Sequence, residues 1–253
     1  MIKFFRHIRK SLLMEHKSAK YLKYAIGEIV LVVIGILIAL SINNWNNDTI
    51  KRSESNQFNK RLLAEVNENF DLTIKNIKKI KELINSSKAI LELFNKQPTD
   101  SNLKALDSLL YITIEGVKIK FRTGTLIEGL STGKVALIEA DVLKSKLYGL
   151  PSNLDFVGEY DKTYAIFLSE TLLTFLYKNF NYRKMDNLYA GLKVGTSKFK
   201  SQRNKGLLEN EEFENIMDNH FYQSNSQLNF HINLKNEFKV IKGLIEAELQ
   251  IKK

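Results

Sequence analysis

From Tyr24 to Ile42, nineteen residues pass with a single charge, Glu28. As a helix rising about 1.5 Å per residue the stretch is roughly 28 Å long, close to the hydrocarbon thickness of a bilayer. Val and Ile are weak helix formers in water. In lipid, however, only a helix lets an open-ended segment satisfy its own backbone hydrogen bonds. Tyr21 and Tyr24 at one end and Trp45 at the other suit the two water–lipid interfaces. The pattern predicts a transmembrane helix over 21–45, in preference to a core helix that would have to be enclosed on every side.

Beyond residue 46 the apolar positions become periodic. Leu63, Val66, Phe70, Thr73, Ile77, Ile80, Ile84, Ser87, Leu91 and Phe94 alternate at +3 and +4, and eight of the ten are apolar. This is a coiled-coil-like a/d stripe. Leu62, Leu83 and Ile90 widen it, which suits a bundle better than an isolated two-stranded seam. Gln97-Pro98 ends the helix, because the residue before proline avoids the α region. Near the other end Phe230, Leu234, Phe238, Ile241, Ile245 and Leu249 predict a second long helix from about 226 to 251. Two such helices pack antiparallel in bundles, which would return the C-terminus towards the membrane.

The middle is less regular. A stripe at Leu103, Leu106, Leu110 and Thr113/Ile114 predicts a helix from 102 to about 117. Val117-Lys-Ile-Lys-Phe121 alternates like a strand, so a short hairpin with Val135-Ala-Leu-Ile138 stays open. A short helix over 141–149 is expected to stop at Leu150-Pro151. A long one from about 153 to 180 would carry Phe156, Tyr160, Tyr164, Phe167, Leu172 and Phe175/Leu176. The segment 193–206, with Lys193, Lys198, Lys200, Arg203 and Lys205, reads as an exposed basic loop, and 209–222 as a shorter helix. The fold class expected is all-α. A basic arm (1–20) and a single N-terminal transmembrane helix (21–45) precede an extracytoplasmic helical bundle (46–253) with one long coiled-coil-like helix.

Charge gives this arrangement a direction. Lys3, Arg6, Arg9, Lys10, Lys17, Lys20 and Lys23 precede the apolar run against one acid, Glu15, whereas the next basic residue after it is Lys51. The positive-inside rule places the N-terminus in the cytoplasm and the rest across the membrane. Ile2, Phe5, Ile8 and Leu12 share a face of the arm, which reads as an amphipathic helix whose seven basic residues contact anionic lipid. A solvated tail is the plainer reading. A cleavable signal competes with the anchor, since Ala39 and Ser41 satisfy a small-x-small rule. Against it stand the long basic region, an apolar run longer than a signal needs, and no short polar stretch before the cleavage point.

These residues also carry a resemblance. The opening MIKFFRHIRKSLL and the stretch KYLKYAIGEIVLVVIGILIALSINNWN from Lys20 through Asn46 resemble an uncharacterised family of single-pass membrane proteins from Bacteroidota, a domain of unknown function. The likeness covers roughly the first fifty residues. It is looser over Phe121–Leu143, where Ser131, Thr132 and Gly133 stand at a family turn ahead of the Leu137-Ile138 pair. The resemblance implies an inner-membrane location with a helical domain outside, and implies no activity.

Within the apolar run, Gly35 and Ala39 form a small-xxx-small pair, with Glu28 seven residues earlier on roughly the same face. Glu28, Gly35 and Ala39 therefore read as a helix-packing face with a polar contact, or Glu28 as an acid adapted to the interface with no partner. The formal charge of +10 raises nucleic acid or anionic lipid as partners. Since seven basic residues already account for orientation, nucleic acid is disfavoured, and membrane lipid with a homo-oligomer or partner membrane protein is expected. Zero Cys excludes disulfides, thiolate nucleophiles and cysteine-ligated metal.

Little else points to chemistry. Gly129-Leu-Ser-Thr-Gly133-Lys134-Val135 has three residues between its glycines, not four, and lacks a hydroxyl residue after the lysine, so a tight turn is expected and not a phosphate loop. His220 and His231 have no i, i+4 histidine partner, and Asp218 beside His220 reads as surface composition. No nucleophile elbow or triad arrangement is visible. Catalytic residues, metal ligands and cofactors are expected to be absent. The function expected is a non-enzymatic scaffold, adaptor or sensor-like module acting through helix–helix contacts. The alternative is a ligand-binding domain whose aromatic middle, with Tyr148, Tyr177, Tyr182 and Tyr189, holds a lipid or small apolar molecule.

Overall fold

The computed structural model describes residues 18–117, 119–193, 195, 197–199 and 206–251. The chain divides into two compact units, Met1–Asn56 and Gln57–Lys253. Helices run over Ser18–Leu93 (α1), Asp100–Glu115 (α2), Gly124–Ser131 (α3), Asp141–Ile166 (α4), Leu173–Asn179 (α5), Tyr182–Tyr189 (α6) and Glu211–Ile251 (α7). A 3₁₀ turn occupies Lys134–Leu137, and a π-helical turn, Phe167–Leu172, joins α4 to α5. The protein is all-α, with no strand among the described residues.

In the first unit the helix is apolar all round. From Ile26 to Ile42 its Ile, Leu and Val side chains are 46–63% exposed, so none is covered by protein.

In the second unit the inner face of α1 is formed by Phe58, Leu62, Val66, Asn69, Thr73, Asn76, Ile80, Leu83, Ser87 and Ile90, all buried. This is a heptad stripe, but not in the register expected from the apolar positions. Leu63, Phe70, Ile77, Ile84, Leu91 and Phe94 are only half-buried, while Leu62, Leu83 and Ile90, expected at the flank, lie at its centre. Asn69 and Asn76 occupy core positions, so counting apolar residues rotates the helix onto their neighbours.

The same holds for α7. Phe213, Met217, His220, Ser224, Gln227, His231, Leu234, Phe238, Ile241, Ile245 and Glu248 are buried at an unbroken +4/+3 spacing. The break expected between residues 222 and 226 therefore does not occur. His220 meets Ser87, and Phe238, Ile241 and Ile245 share a cluster with Phe58, Leu62 and Val66, so α7 runs antiparallel to this part of α1. α4 is also antiparallel to α7, since Asn153 binds Glu237 and Tyr164 binds His220.

Nor does Pro151 stop a helix, for α4 passes straight through it. Proline costs about 3 kcal/mol inside a helix. Leu147, Leu150, Leu154 and Val157 lie within about two turns of it and are all buried on one face. At roughly 1.5–3 kcal/mol each, their burial outweighs the break.

The hairpin left open by the sequence is absent among the described residues. Val135 lies in the 3₁₀ turn, and the main chain at Arg122 pairs with a side chain instead of a strand: its N–H donates to Asn69 Oδ1 at 2.9 Å, and Asn69 Nδ2 donates to its carbonyl at 2.6 Å.

Two helices that lack a side-chain cap of their own take a carboxylate from another helix. The Glu65 carboxylate accepts from the N–H groups of Thr125 and Leu126 at the start of α3, at 2.7 and 3.0 Å. Glu248, 1% exposed, accepts from Glu139 and Ala140 ahead of α4, at 2.8 and 3.3 Å. An anion at a helix N-terminus satisfies orphan donors and meets the positive end of the dipole. Glu65→Ala is expected to lower stability by about 1–2 kcal/mol, the range of a lost cap. Thermal unfolding of the full chain checks this, with Glu65→Gln expected to fall between variant and parent.

Candidate functional site

The predicted helix-packing face lies in the first unit. Glu28 is half-buried, Ala39 is exposed, and nothing stands within 4 Å of where a Cβ on Gly35 would be. Of the basic residues expected to contact lipid, Lys23 is exposed and Lys20 is helical in its backbone, while Lys3, Arg6, Arg9, Lys10 and Lys17 lie outside the described residues. Among the described members of this set, the structure gathers none into a site.

What it does gather is a polar waist in the second unit. Two apolar clusters fill the ends of the bundle. One contains Leu83, Ile90, Leu106, Phe175 and Phe213, the other Phe58, Leu62, Leu147, Phe238 and Ile241. Between and into them the heptad stripes of α1 and α7 carry polar side chains, Asn69, Thr73, Asn76 and Ser87 on one side and His220, Ser224, Gln227 and His231 on the other. Asp161 and Tyr164 come from α4.

The first network centres on His220, fully buried like Ser87 and Ser224. Ser87 Oγ donates to the Leu83 carbonyl at 2.8 Å, so it must accept from His220 Nδ1, 2.6 Å away. Nε2 is then the acceptor, and the Tyr164 hydroxyl donates to it at 2.7 Å while accepting from Ser224 Oγ at 3.2 Å. Every hydroxyl and both ring nitrogens are satisfied with the imidazole neutral. Burial pushes the His220 pKa down to about 4, against a hydrogen bond with the Thr113 backbone that acts the other way. Burial likewise raises the Tyr164 hydroxyl far above its ordinary value, with its bond to Ser224 opposing. Although Ser87 and His220 lie as close as a nucleophile and base, the serine proton points at a carbonyl and the far ring nitrogen meets a phenol. That arrangement ties α1, α4 and α7 together, and does not activate a nucleophile.

The second network lies further along α4 and α7. His231 Nε2 donates to both Asp161 oxygens at 3.2 Å, and Gln227 Nε2 donates to Oδ1 at 2.7 Å. Phe121, held in place by the Asn69 clasp on Arg122, sits with its ring 6.4 Å from that of His231. Both histidines, read from the sequence as isolated, thus find partners on other helices. Asp218 belongs to neither network. Among the described residues no group of three or more His, Asp or Glu could hold a metal.

A groove of about 520 Å³ opens beside the first network, lined by Phe167, Thr171, Ile216 and polar residues from Glu211 to Asn219. Phe167, the first residue of the π turn, lies with its ring 6.3 Å from those of His220 and Tyr164, and separates them from the groove.

The aromatic stripe divides in two. Phe156 is 60% exposed and packs edge-on to Phe230. Tyr164 and Phe175 are core, the latter stacked on Phe213 at 5.7 Å. Tyr148 and Tyr177 are exposed, whereas Tyr182 and Tyr189 pack against the core. Gly129–Gly133 closes α3, with Gly133 left-handed at φ +74°, and Lys134 donates to Glu128 at 2.7 Å; it is a turn. Of the basic loop, Lys193 and Lys198 are exposed, and Lys200, Arg203 and Lys205 lie outside the described residues.

The chain matches no protein-family model, no curated protein and no solved structure.

Proposed function

We propose that the protein is a single-pass membrane-anchored helical module, N-terminus in the cytoplasm and bundle beyond the inner membrane, that acts non-catalytically through helix–helix contacts. The observation that carries this reading is the uncovered apolar helix. One helix near the N-terminus is long and apolar enough to cross a membrane, and its apolar side chains are exposed on every face. The twelve Ile, Leu and Val residues between Tyr24 and Ile42 contribute about −0.3 to −0.6 kcal/mol each on insertion, or roughly −4 to −7 together. On the same insertion scale Glu28 opposes by about 3 kcal/mol, and by less near the interface. Insertion therefore wins. The seven basic residues ahead of the helix support the orientation, and the resemblance of residues 1–50 to a Bacteroidota membrane family supports the compartment.

Glu28, Gly35 and Ala39 are the face through which a second copy or another membrane protein would pack. The aromatic middle gives less support to an apolar ligand, because Phe175 is stacked on Phe213 and Tyr164 is hydrogen-bonded to His220. After carbonate washing the chain is expected to stay in the membrane pellet. Reporter fusions at Asn47 and Lys253 are expected to report the same, extracytoplasmic side, and crosslinking in native membranes to trap a homo-oligomer or a partner. A freely soluble chain, or a mature one beginning at Ile42, would overturn the anchor.

A further inference from the structure

Three buried side-chain atoms at the waist have no hydrogen-bond partner: Asn76 Nδ2, Gln227 Oε1 and His231 Nδ1. Gln227 and His231 are fully buried and Asn76 is 6% exposed. Asp161 fixes the orientation of two of them. A carboxylate only accepts, so the nitrogens that face it, Gln227 Nε2 and His231 Nε2, carry the hydrogens. Gln227 Oε1 is left as an acceptor and Asn76 Nδ2 as a donor, beside the unpartnered ring nitrogen His231 Nδ1.

The helix register brings Asn76 and His231 to one level. Asn76 stands eleven residues before Ser87, and His231 eleven after His220. Since Ser87 and His220 touch and the helices are antiparallel, both lie about 16 Å along the bundle from that contact, in the same direction. Gln227 is one turn from His231 on the same stripe. The set therefore calls for a small guest that can both donate and accept. An anion offers only acceptors, and would face the Asp161 carboxylate as well. A metal ion would meet the Asn76 N–H group. Water has the right capacity, and buried waters make about three hydrogen bonds to otherwise unsatisfied groups.

We propose that one buried water molecule bridges Asn76, Gln227 and His231, and so completes the Asp161 network as a built water site between the two apolar clusters. The test is a high-resolution structure of the full chain in lipid or detergent. The expected result is a density peak within hydrogen-bonding distance of all three atoms. Direct bonds among the three side chains with nothing between them, or an ion at that place, would overturn the proposal. A second measurement starts from the parent chain. With the histidines labelled with nitrogen-15, the His231 ring of the parent chain is expected to show a cross-relaxation contact with water. That contact should fall to background in Gln227→Met and persist in His220→Gln. Its absence in the parent chain would overturn the proposal equally.

Discussion

Gly129→Ala is expected to destabilise the bundle by about 3 kcal/mol or more, the upper range for overpacking a core. A Cβ at Gly129 would stand 2.3 Å from Phe58 Cζ, 2.4 Å from Cε2 and 3.3 Å from Val135 Cγ2. Phe58 is fully buried in the cluster with Leu62, Leu126 and Ile138, so its ring has no free space to move into. Alanine does gain about 1 kcal/mol of helix propensity over glycine, but steric overlap of this depth exceeds that gain. In a chain of this size the net loss corresponds to a fall in Tm of roughly 6–12 °C. The cause is local, so relief should be local too. Phe58→Leu in the same chain, costly by itself, is expected to recover part of the loss, giving a double variant less destabilised than the two single effects added. Strict additivity would mean that Gly129 is required for something other than the approach of Phe58.

The polar waist explains what could and could not be read from the sequence. The apolar helix and the all-α class were legible because a long uninterrupted run and a repeated +3/+4 spacing are local signals. The waist was not, because hydrophobic patterning treats Asn, Ser, Gln and His as solvent-facing. On α7 the signal that could have revealed it is continuity: the spacing from Phe213 to Glu248 passes through His220, Ser224, Gln227 and His231 without a slip. On α1, Asn69 and Asn76 hid the inner face, and neighbouring apolar residues supplied a rival register. Other features depended on distant partners. Ser87 lies 133 residues from His220 in the chain, and Asp161 lies 70 from His231. No i, i+4 rule reaches across such gaps. Pro151 and the Val117–Phe121 alternation mark the opposite failure, in which a valid local rule yields to tertiary packing or to a side-chain clasp.

The waist also predicts acid sensitivity of a defined size and sign. Folded, His220 is neutral down to a pKa of about 4, whereas the unfolded chain has the ordinary value of 6.5. Above pH 6.5 both states carry a neutral imidazole, and its contribution to stability is present in full. As pH falls from 6.5 towards 4, the unfolded state takes up a proton that the folded state refuses, so stability drops. Below 4 both states are protonated and the loss levels off. At about 1.4 kcal/mol per pH unit the total is about 3 kcal/mol. Carboxylates also lose their charge in acid, so the residue must be isolated by a variant that hydrogen-bonds without titrating. His220→Gln is expected to be less stable than the parent at pH 7, because one amide cannot reproduce both ring contacts. Between pH 7 and pH 4, however, it should lose about 3 kcal/mol less than the parent does. Glu128 does not confound the comparison, since Arg61 and then Lys134 hold its pKa at about 2 and it stays ionised across the window. Equal losses in parent and variant would mean that the imidazole is not held neutral between Ser87 and Tyr164, and the waist would then have to open to solvent in acid.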